Sequence, residues 1–547
     1  MQPDLSGLTA LEVNLATRTS LGDALTRSAR MFGSRTAIAD RGRSITYREL
    51  DAAAESVGRS LLESGLSHQQ PVAMLMGNSW QFVATYFACA KAGLVAMPVN
   101  VVLAPEDIAW ILNDSGTTTV VADAVFAPLL EKILPGLTGV KSVILVGAEP
   151  AASTGGVPTR PLATACRSLE SHCWEDLALR EPAGPLEVLV EDRDAAQCLY
   201  TSGTTSRPKG VLASHTAVFV AGLTNALMQG ATWGGEHATL VNVLPMFHTT
   251  GLNTLVLPTL MIGGTVVLPG PFDPGAVLDA IEAHRATHVM FLPIMYRALV
   301  GTQAAAARDL SSVRLCIYAM APMPDTLLDQ VDEAFPNASV ILGSGQTEVV
   351  PATVLQWPEH RHTKANSWGP PVPTVEVQIM DNDGTLLPAG ESGEIVYRGP
   401  HVSSGYWNNA DANRAAFAHG WFHSGDVGHL DEDGVVWFTD RLKDIIKSGG
   451  ENVSSVEVER VVSAAPGVQE CSVVGLPDER WGEAVCAVVV AADATTAPTE
   501  LEAQVIAHAK QHLAGFKVPK RVIVVDELPK TATGKARKHE LRAGLSH

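Results

Sequence analysis

The sequence predicts an α/β fold: a large N-terminal domain of mixed, largely parallel sheets with a β-rich subdomain, then a small α+β C-terminal domain. Over residues 1–180, short apolar or β-branched runs such as Val143–Val146 alternate with helical segments, the pattern of parallel sheets. From residue 370 onward, period-two runs such as Val375–Ile379 occur together with Asp-Gly turn signals. The length of 547 residues exceeds what one hydrophobic core usually holds, so we expect more than one domain.

Several N-terminal elements follow from local signals. Thr46 is a candidate N-cap for a helix that begins at Tyr47. Pro71–Met76 is a short apolar run typical of buried strands, and a helix is predicted after it at Trp80–Ala92. Ala148–Pro185 is rich in Gly, Pro, Ser and Ala, which predicts a loop of low regularity.

After Arg441 the pattern becomes that of a small compact domain. The predicted elements are a helix, two strands and a second helix, at Ser455–Ala465, Cys471–Val474, Ala484–Ala491 and Thr499–Leu513. We therefore divide the chain into an N-terminal domain, a short connector and a C-terminal domain, comprising residues 1–441, 442–444 and 445–547.

The charge balance argues against nucleic acid as a major partner. Asp and Glu total 58 against 39 Lys and Arg, a formal net charge of −19, whereas a phosphate backbone requires a basic surface. The seven cysteines are scattered and contain no Cys-x-x-Cys pair. This distribution disfavours a disulfide framework or a zinc site and favours a reducing, cytoplasmic location.

No segment has the length and continuity that a membrane helix needs. The most apolar stretch, Leu252–Leu268, is interrupted by Pro258 and two glycines. Neither end of the sequence matches a signal peptide, a lipid anchor or a peroxisomal signal. We expect a monomer or homodimer that has no transmembrane segment and acts on small molecules.

The strongest local motif is a hydroxyl-rich loop, Tyr200-Thr201-Ser202-Gly203-Thr204-Thr205-Ser206-Arg207-Pro208-Lys209-Gly210, at the end of an apolar strand. Its hydroxyl and backbone N–H groups can donate to phosphate oxygens, while Lys209 supplies a positive charge. The spacing is not that of a Walker A loop. Taken alone, the motif is equally consistent with a polar surface loop.

Further motifs follow it in a fixed order: Gly343–Glu348, Trp421–Asp426, Thr439–Asp444, Lys447–Val453 and Pro529–Lys535. This series resembles the adenylate-forming superfamily of acyl-CoA synthetases, luciferases and peptide-synthetase adenylation domains. The resemblance extends from Thr46 to Arg542, and the segment Ser448–Glu457 is most similar to the fatty-acyl and medium-chain acyl-CoA synthetases.

The resemblance implies a nucleotide site. Thr347 would contact the α-phosphate, and Glu348 would bind Mg²⁺ together with Thr204, since hard oxygen ligands suit that ion. Asp426 would accept hydrogen bonds from the ribose, with Arg441 as a second ribose or phosphate contact. The other nucleotide-binding positions implied by the family are Thr201, Ser202, Gly203, Thr205, Lys209, Ala321, Pro322, Gly343, Ser344, Gly345 and Gln346.

The resemblance also implies a mobile C-terminal domain. Lys535 matches the lysine that bridges the substrate carboxylate and the α-phosphate, where a cation offsets the charge of two approaching anions. Lys443 matches the hinge about which the domain turns between adenylation and thioester formation. In the second pose, Lys447 and the loop of Gly449 and Gly450 would face coenzyme A.

Some residues bear on the identity of the acid. His248 resembles the residue that forms a wall of the acyl pocket, and a hydrogen-bonded structural histidine is the alternative. Ala319-Met320 replaces the usual two glycines, which favours a short, flat or otherwise unusual acid over a long straight chain. Ser206 replaces a glycine of the phosphate loop. Ser344 replaces an aromatic residue that stacks on adenine, a loss on the order of 1 kcal/mol.

Synthesis of an acyl-CoA from a carboxylic acid, ATP and coenzyme A, with Mg²⁺, is the first hypothesis. A ligase that passes the adenylate to an amine or a carrier protein would have the same adenylating residues, so the sequence leaves that alternative open. Lys535 and Glu348 argue against a non-catalytic nucleotide-binding protein, and no feature supports a luciferase.

The variant Lys535→Ala tests the role of this lysine. We expect acyl-adenylate formation to fall by about a hundredfold or more, as on removal of one preorganised charge donor. Conversion of a supplied acyl-adenylate to the thioester should be affected far less. The two half-reactions are measured separately by pyrophosphate release and by thioester formation, and equal damage to both would contradict the assignment.

Overall fold

The computed structural model describes residues 4–147, 170–180, 184–201, 207–233, 238–319, 323–365, 367–493, 495–530 and 536–545. Within these ranges the α-helices are α1 (Ala10–Thr17), α2 (Leu21–Phe32), α3 (Tyr47–Glu63), α4 (Trp80–Lys91), α5 (Pro105–Asp114), α6 (Ala127–Ile133), α7 (Trp174–Ala178), α8 (His215–Met228), α9 (Leu257–Met261), α10 (Pro274–His284), α11 (Pro293–Ala305), α12 (Asp325–Ala334), α13 (His360–Thr363), α14 (Ala410–Ala416), α15 (Ser455–Ser463), α16 (Pro498–His512) and α17 (Lys538–Leu545).

The strands are β1 (Thr36–Asp40), β2 (Arg43–Thr46), β3 (Pro71–Leu75), β4 (Val95–Pro98), β5 (Thr119–Asp123), β6 (Ser142–Val146), β7 (Glu170–Cys173), β8 (Ala195–Thr201), β9 (Lys209–Ser214), β10 (Thr239–Val241), β11 (Thr265–Leu268), β12 (His288–Phe291), β13 (Leu315–Tyr318), β14 (Ser339–Ser344), β15 (Val354–Leu355), β16 (Glu376–Met380), β17 (Gly393–Arg398), β18 (Gly405–Tyr406), β19 (Phe422–Leu430), β20 (Val436–Arg441), β21 (Ile446–Ser448), β22 (Glu451–Val453), β23 (Val468–Asp478), β24 (Gly482–Ala491) and β25 (Arg521–Val524). A π-helical turn, Thr250–Val256, leads into α9, and short 3₁₀ turns lie at Ala124–Phe126, Leu134–Gly136, Thr347–Val349 and Ala418–Gly420.

Two eight-stranded sheets form the N-terminal part of the molecule. One has the strand order β15-β14-β13-β12-β10-β11-β1-β2 and is antiparallel only at its two edge pairs, β1–β2 and β14–β15. The other has the order β18-β9-β8-β4-β3-β5-β6-β7 and is antiparallel only where β9 pairs with β8 and β18. The predicted mixed, largely parallel sheets are therefore confirmed.

Two helices of this part have the cap and the burial that their sequences predicted. Thr46 caps α3: its side chain accepts from the Glu49 backbone N–H at 3.2 Å, and the Glu49 carboxylate accepts from the Thr46 N–H at 2.8 Å. This reciprocal capping box satisfies N–H groups that the helix leaves without partners. Every residue of α4 except Gln81 is buried, as expected of a helix that is apolar around its circumference.

The prediction of an irregular loop over Ala148–Pro185 is wrong for the part that the structure describes. β7 pairs in parallel with β6, and α7 follows it. The first residue of α7, Trp174, is fully buried, and its Nε1 donates to Thr85 Oγ1 at 2.9 Å. One large buried aromatic side chain thus anchors a segment whose small residues predicted an irregular loop. Residues 148–169 and 181–183 lie outside the described residues.

A third sheet, β16-β17-β19-β20, is antiparallel throughout, which confirms the β-rich subdomain. Its β19–β20 hairpin turns at Asp433-Gly434, where Gly434 has a φ of +74° that a side chain would strain. The turn places the last residues of β20 beside the middle of β19, with Asp426 and Arg441 in register.

The C-terminal sheet has the order β22-β21-β24-β23, with β25 parallel to β24. The predicted helices and strands of this region are present, although β23 is longer than predicted. Its core contains the apolar faces of α15 and α16. Residues 442–445 connect β20 to β21, and the domain division within this connector stays a prediction. Among the described residues, no helix combines the length and apolar character needed to cross a bilayer.

Buried histidines predict how stability depends on pH. His401 is fully buried, its Nε2 lies 2.6 Å from Thr374 Oγ1, and burial lowers its pKa to about 4. The unfolded chain protonates this histidine near pH 6.5, whereas the folded protein keeps it neutral, so its stabilising contribution is lost as the pH falls from about 6.5 toward 4.

We expect the free energy of unfolding, measured in urea, to decrease between pH 7 and pH 5. The variant His401→Gln retains a group that can hydrogen bond to Thr374 but does not titrate, so its unfolding free energy should depend less steeply on pH. Identical slopes for the variant and the parent protein would contradict this assignment.

Candidate active site

The turn after β14 is shaped by close backbone packing. A Cβ on Gly345 would lie 2.5 Å from the backbone nitrogen of Ala352, so only glycine fits there. The next residues form the 3₁₀ turn Thr347–Val349, and Val350 and Ala352 then adopt positive φ values of 35° and 74°. Non-glycine residues in this region carry strain, which is retained where the surroundings impose it. The turn presents Gln346, Thr347 and Glu348 beyond the end of the strand.

A buried carboxylate lies beside this turn. Asp426 is 1% exposed, and Gln346 Nε2 donates to its Oδ2 at 2.5 Å. Arg441 Nε lies 2.6 Å from Asp426 Oδ1. A buried carboxylate requires such partners, because an unpaired charge is costly away from water. Gln346, Asp426 and Arg441, from three separate motifs, therefore meet in one cluster.

Glu348 is fixed by an aromatic residue from another segment. The hydroxyl of Tyr406 donates to Glu348 Oε1 at 3.0 Å, and the Nζ of Lys209 lies 4.9 Å from the centre of the Tyr406 ring. Burial and the neighbouring Glu348 carboxylate raise the pKa of Tyr406, so its hydroxyl remains a donor. Glu348 is half-buried and held in one orientation, which fits a Mg²⁺ ligand that acts together with phosphate and water oxygens.

Backbone hydrogen bonds connect the turn that carries Glu348 to the end of the hydroxyl-rich loop. The Ser403 N–H donates to the Glu348 carbonyl at 2.8 Å, and the Trp407 N–H donates to the Gly210 carbonyl at 2.7 Å. Between these bonds, β18 pairs with β9, which begins at Lys209. The end of the hydroxyl-rich loop and the Glu348 turn are thus held together by the short strand that carries Tyr406.

Other predicted residues lie in different surroundings. His248 precedes the π-helical turn, with its ring 4.9 Å from that of Phe247. Thr201 is the last residue of β8, and Gly343 and Ser344 are the last two residues of β14.

The predicted coenzyme A residues lie in or near the β21–β22 hairpin. Lys443 is in the connector before it, and Lys447 is exposed within β21. Gly449 and Gly450 form the turn with φ values of +64° and +89°. The Gly449 N–H donates to the Trp481 carbonyl at 2.7 Å, so this turn packs on Trp481.

The remaining predicted positions are Ser202, Gly203, Thr204, Thr205, Ser206, Met320, Ala321, Pro322 and Lys535, and they lie outside the described residues. Sequence reasoning missed Tyr406, since an isolated Gly-Tyr-Trp carries no motif signal. Its importance follows only from the contact with Glu348 across 58 residues of sequence.

Known proteins that are similar to this chain indicate its family. Residues 25–407 match the model of the AMP-binding enzyme family, and residues 457–535 match the AMP-binding enzyme C-terminal domain. A feruloyl-CoA synthase of Amycolatopsis sp is 35% identical over 530 residues, which are 95% of this chain and 98% of that protein. The long-chain-fatty-acid–CoA ligase FadD13 of Mycobacterium tuberculosis is 34% identical over 502 residues, covering 92% and 93% of the two chains.

A solved structure has the same architecture over nearly its whole length. The crystal structure of the anthranilate CoA ligase AuaEII in complex with anthranoyl-AMP matches with a TM-score of 0.84 and 28% identity, covering 96% of this chain and 97% of that one. The fold and the clustered motifs define an adenylate-forming enzyme.

The chain belongs to the AMP-binding enzyme family. It is an AMP-forming acyl-CoA synthetase: it uses ATP and Mg²⁺ to convert a carboxylic acid to an acyl-adenylate with release of pyrophosphate, and it then transfers the acyl group to coenzyme A.

The variant Tyr406→Phe tests the support of Glu348. It retains the ring beside Lys209 and removes the hydrogen bond to a charged carboxylate, a bond of about 1.5–3 kcal/mol. We expect kcat/KM for ATP to fall by about tenfold or more and the Mg²⁺ concentration for half-maximal rate to rise.

Tyr296→Phe is the matched control, since its buried hydroxyl donates to the Ile317 carbonyl at 2.9 Å within a separate core. It should lower stability without changing the Mg²⁺ dependence. A Tyr406→Phe enzyme with parental Mg²⁺ and ATP dependence would contradict the assigned role.

Proposed function

We propose that this enzyme joins coenzyme A to an aromatic or arylalkyl carboxylic acid. The observation that carries the proposal is Ala319, which stands where the family usually has glycine. It is 7% exposed directly after β13, the strand that pairs with β14. Its methyl group, together with the side chain of Met320, would shorten the space available to a straight acyl chain. The feruloyl-CoA and anthranilate ligases among the relatives also support a planar acid.

The first half-reaction follows from the proposed residue roles. The nucleotide ribose would bind Asp426 and Arg441, and the outer phosphates would lie against Lys209 and the hydroxyl-rich loop. Mg²⁺ on Glu348 would neutralise charge on the leaving pyrophosphate. A carboxylate oxygen of the acid attacks the α-phosphorus, and the bond between the α-phosphorus and its bridging oxygen breaks as pyrophosphate departs. Lys535 would offset the charge of the two approaching anions.

In the second half-reaction the thiolate sulfur of coenzyme A attacks the acyl carbonyl. A C–S bond forms, the C–O bond to the phosphate breaks, and AMP leaves. We propose Lys443 as the hinge that exchanges the Lys535 segment for the turn of Gly449 and Gly450 between the two steps. A reducing, cytoplasmic location and a monomeric or dimeric state complete the proposal.

A panel of acids tests the substrate class. Cinnamic, hydroxycinnamic, benzoic and indoleacetic acids are compared with decanoic and palmitic acids by pyrophosphate release, and the products with coenzyme A are identified by mass spectrometry. We expect the highest kcat/KM for a planar aromatic acid. The long-chain enzyme FadD13 defines the opposing outcome, in which palmitate is preferred and the proposed acid class is wrong.

The variant Met320→Gly extends this test, because removing the side chain should lengthen the acyl pocket. We expect kcat/KM to shift toward longer or bulkier acids by about tenfold, the lower end of the effect of one methylene group in a hydrophobic pocket. An unchanged order of preference would place Met320 outside the pocket.

The same assays separate the possible acceptors. With the preferred acid present, coenzyme A should accelerate AMP release, whereas simple amines and amino acids should not. A faster reaction with an amine than with coenzyme A would favour the amide-forming alternative.

A further inference from the structure

The strand that carries Asp426 contains a bulge. Where β17 pairs with β19, Glu394 lies opposite Val427 and Val396 lies opposite His423. One residue of β17 therefore faces three residues of β19, residues 424–426. Extra residues of this kind bend a strand and re-aim its side chains, and they are frequent beside active sites. The shape of the bulge thus determines where the Asp426 carboxylate lies.

The side chain of Glu394 holds the backbone of this bulge. Its Oε1 accepts the Gly425 N–H at 2.8 Å. Residues of a bulge lie outside the regular ladder, so their N–H groups need other acceptors. Gly425 also has a φ of +72°, a conformation that a side chain would strain. Glu394, on the neighbouring strand, therefore fixes the residue directly before Asp426.

A histidine holds the Glu394 carboxylate from its other side. His423 Nδ1 lies 2.8 Å from Glu394 Oε2, and His423 Nε2 lies 3.2 Å from the Ala418 carbonyl oxygen. The side chains of Glu394 and His423 are both largely buried. The orientation of the carboxylate toward Gly425 is thus imposed by its surroundings.

A serine completes the backbone contacts of the bulge. The Ser424 hydroxyl donates to the Ile395 carbonyl and accepts the Asp426 N–H at 3.0 Å. Ser424 and Glu394 therefore bond to the N–H groups of two successive residues, Asp426 and Gly425. Together they hold the bulge in one shape.

Two kinds of contact consequently act on Asp426. Gln346 and Arg441 bond to its carboxylate and supply the partners that its burial requires. Glu394 acts through the backbone, at Gly425. Removal of the Glu394 side chain would leave the partners of the carboxylate in place and release the bulge that aims it.

We propose that Glu394 is a positioning residue for ribose recognition: it holds the bulge in the shape that presents the Asp426 carboxylate to both ribose hydroxyls. The inference rests on the proposed binding of ribose to Asp426. Two hydroxyls must meet one carboxylate, and hydrogen bonds weaken steeply with poor alignment. A small change in the aim of Asp426 therefore weakens the ribose contacts, whereas contacts with adenine and phosphate persist.

Calorimetric titration with AMP and with dideoxy-AMP, which lacks both ribose hydroxyls, tests this role. In the parent protein, dideoxy-AMP should bind about tenfold more weakly or worse, since hydrogen bonds to a charged group are lost. In Glu394→Ala this ratio should fall to about threefold or less, because AMP binds more weakly while the affinity for dideoxy-AMP is retained. An unchanged ratio, or an equal loss of affinity for both nucleotides, would overturn the proposal.

The conservative variant Glu394→Gln separates geometry from charge. Its amide oxygen can still accept the Gly425 N–H, so it should keep the parental ratio. A glutamine variant that discriminates as poorly as the alanine variant would contradict the proposal. If Glu394→Ala does not fold, Glu394→Val replaces it, since valine favours a strand and also lacks the acceptor.

Asp381→Ala is the matched control. Asp381 lies between β16 and β17 of the same sheet, and its Oδ1 accepts the N–H groups of Asp383 and Thr385 at 2.9 and 2.8 Å. The variant should lower stability and leave the ratio of affinities unchanged. A loss of discrimination equal to that of Glu394→Ala would mean that general weakening of the sheet is the cause, and would overturn the proposal.

Failure of the proposed ribose site is recognised separately. If the parent protein binds AMP and dideoxy-AMP equally, the assignment of Asp426 to the ribose is wrong, and this inference falls with it. If the parent protein discriminates and folded Glu394→Ala discriminates equally well, the inference alone is refuted.

Discussion

The buried carboxylate of Asp426 needs close polar partners, and this constraint determines the rest of the site. A carboxylate that is 1% exposed is tolerated only with close partners: Gln346 donates a hydrogen bond to Asp426 at 2.5 Å, and Arg441 forms an ion pair with it at 2.6 Å. These two partners come from the turn after β14 and from the end of β20. The requirement to neutralise one buried charge therefore ties a parallel sheet to the antiparallel β-rich sheet. The turn that carries Glu348 is oriented by the same contact, since Gln346 precedes Glu348 by two residues.

A second set of contacts connects the β8–β9 hairpin to this site. Tyr406 contacts Glu348 with its hydroxyl and Lys209 with its ring, and β18 pairs with β9. The protein has a net charge of −19, which would repel a nucleotide. Lys209 and Arg441 supply positive charge at the site and offset this repulsion locally. The site is assembled at the meeting of three sheets, so it requires the whole N-terminal architecture rather than any single motif.

The features that the sequence predicted correctly depend on interactions between residues close together in the chain. The capping box at Thr46 and Glu49 and the Asp433-Gly434 hairpin are determined by neighbouring residues, and both are present in the structure. The burial of Trp174 against Thr85 and the contact of Tyr406 with Glu348 join residues 89 and 58 positions apart. No local pattern encodes such pairs, which explains the missed strand β7, the missed helix α7 and the missed tyrosine. The motif order predicted that Gln346, Asp426 and Arg441 belong to one site, and the structure brings them together. Their binding of nucleotide stays a prediction, as do the roles of Lys535 and Thr204.

The most direct test of this account is calorimetric titration of AMP into the parent protein and into Asp426→Asn. The asparagine is close in size but cannot accept from the ribose with both oxygens, and it removes the charge that holds Arg441. We predict AMP binding to be weaker by about tenfold or more, the scale of a lost hydrogen bond to a charged group. Equal affinity of the two folded proteins for AMP would contradict the central role of Asp426.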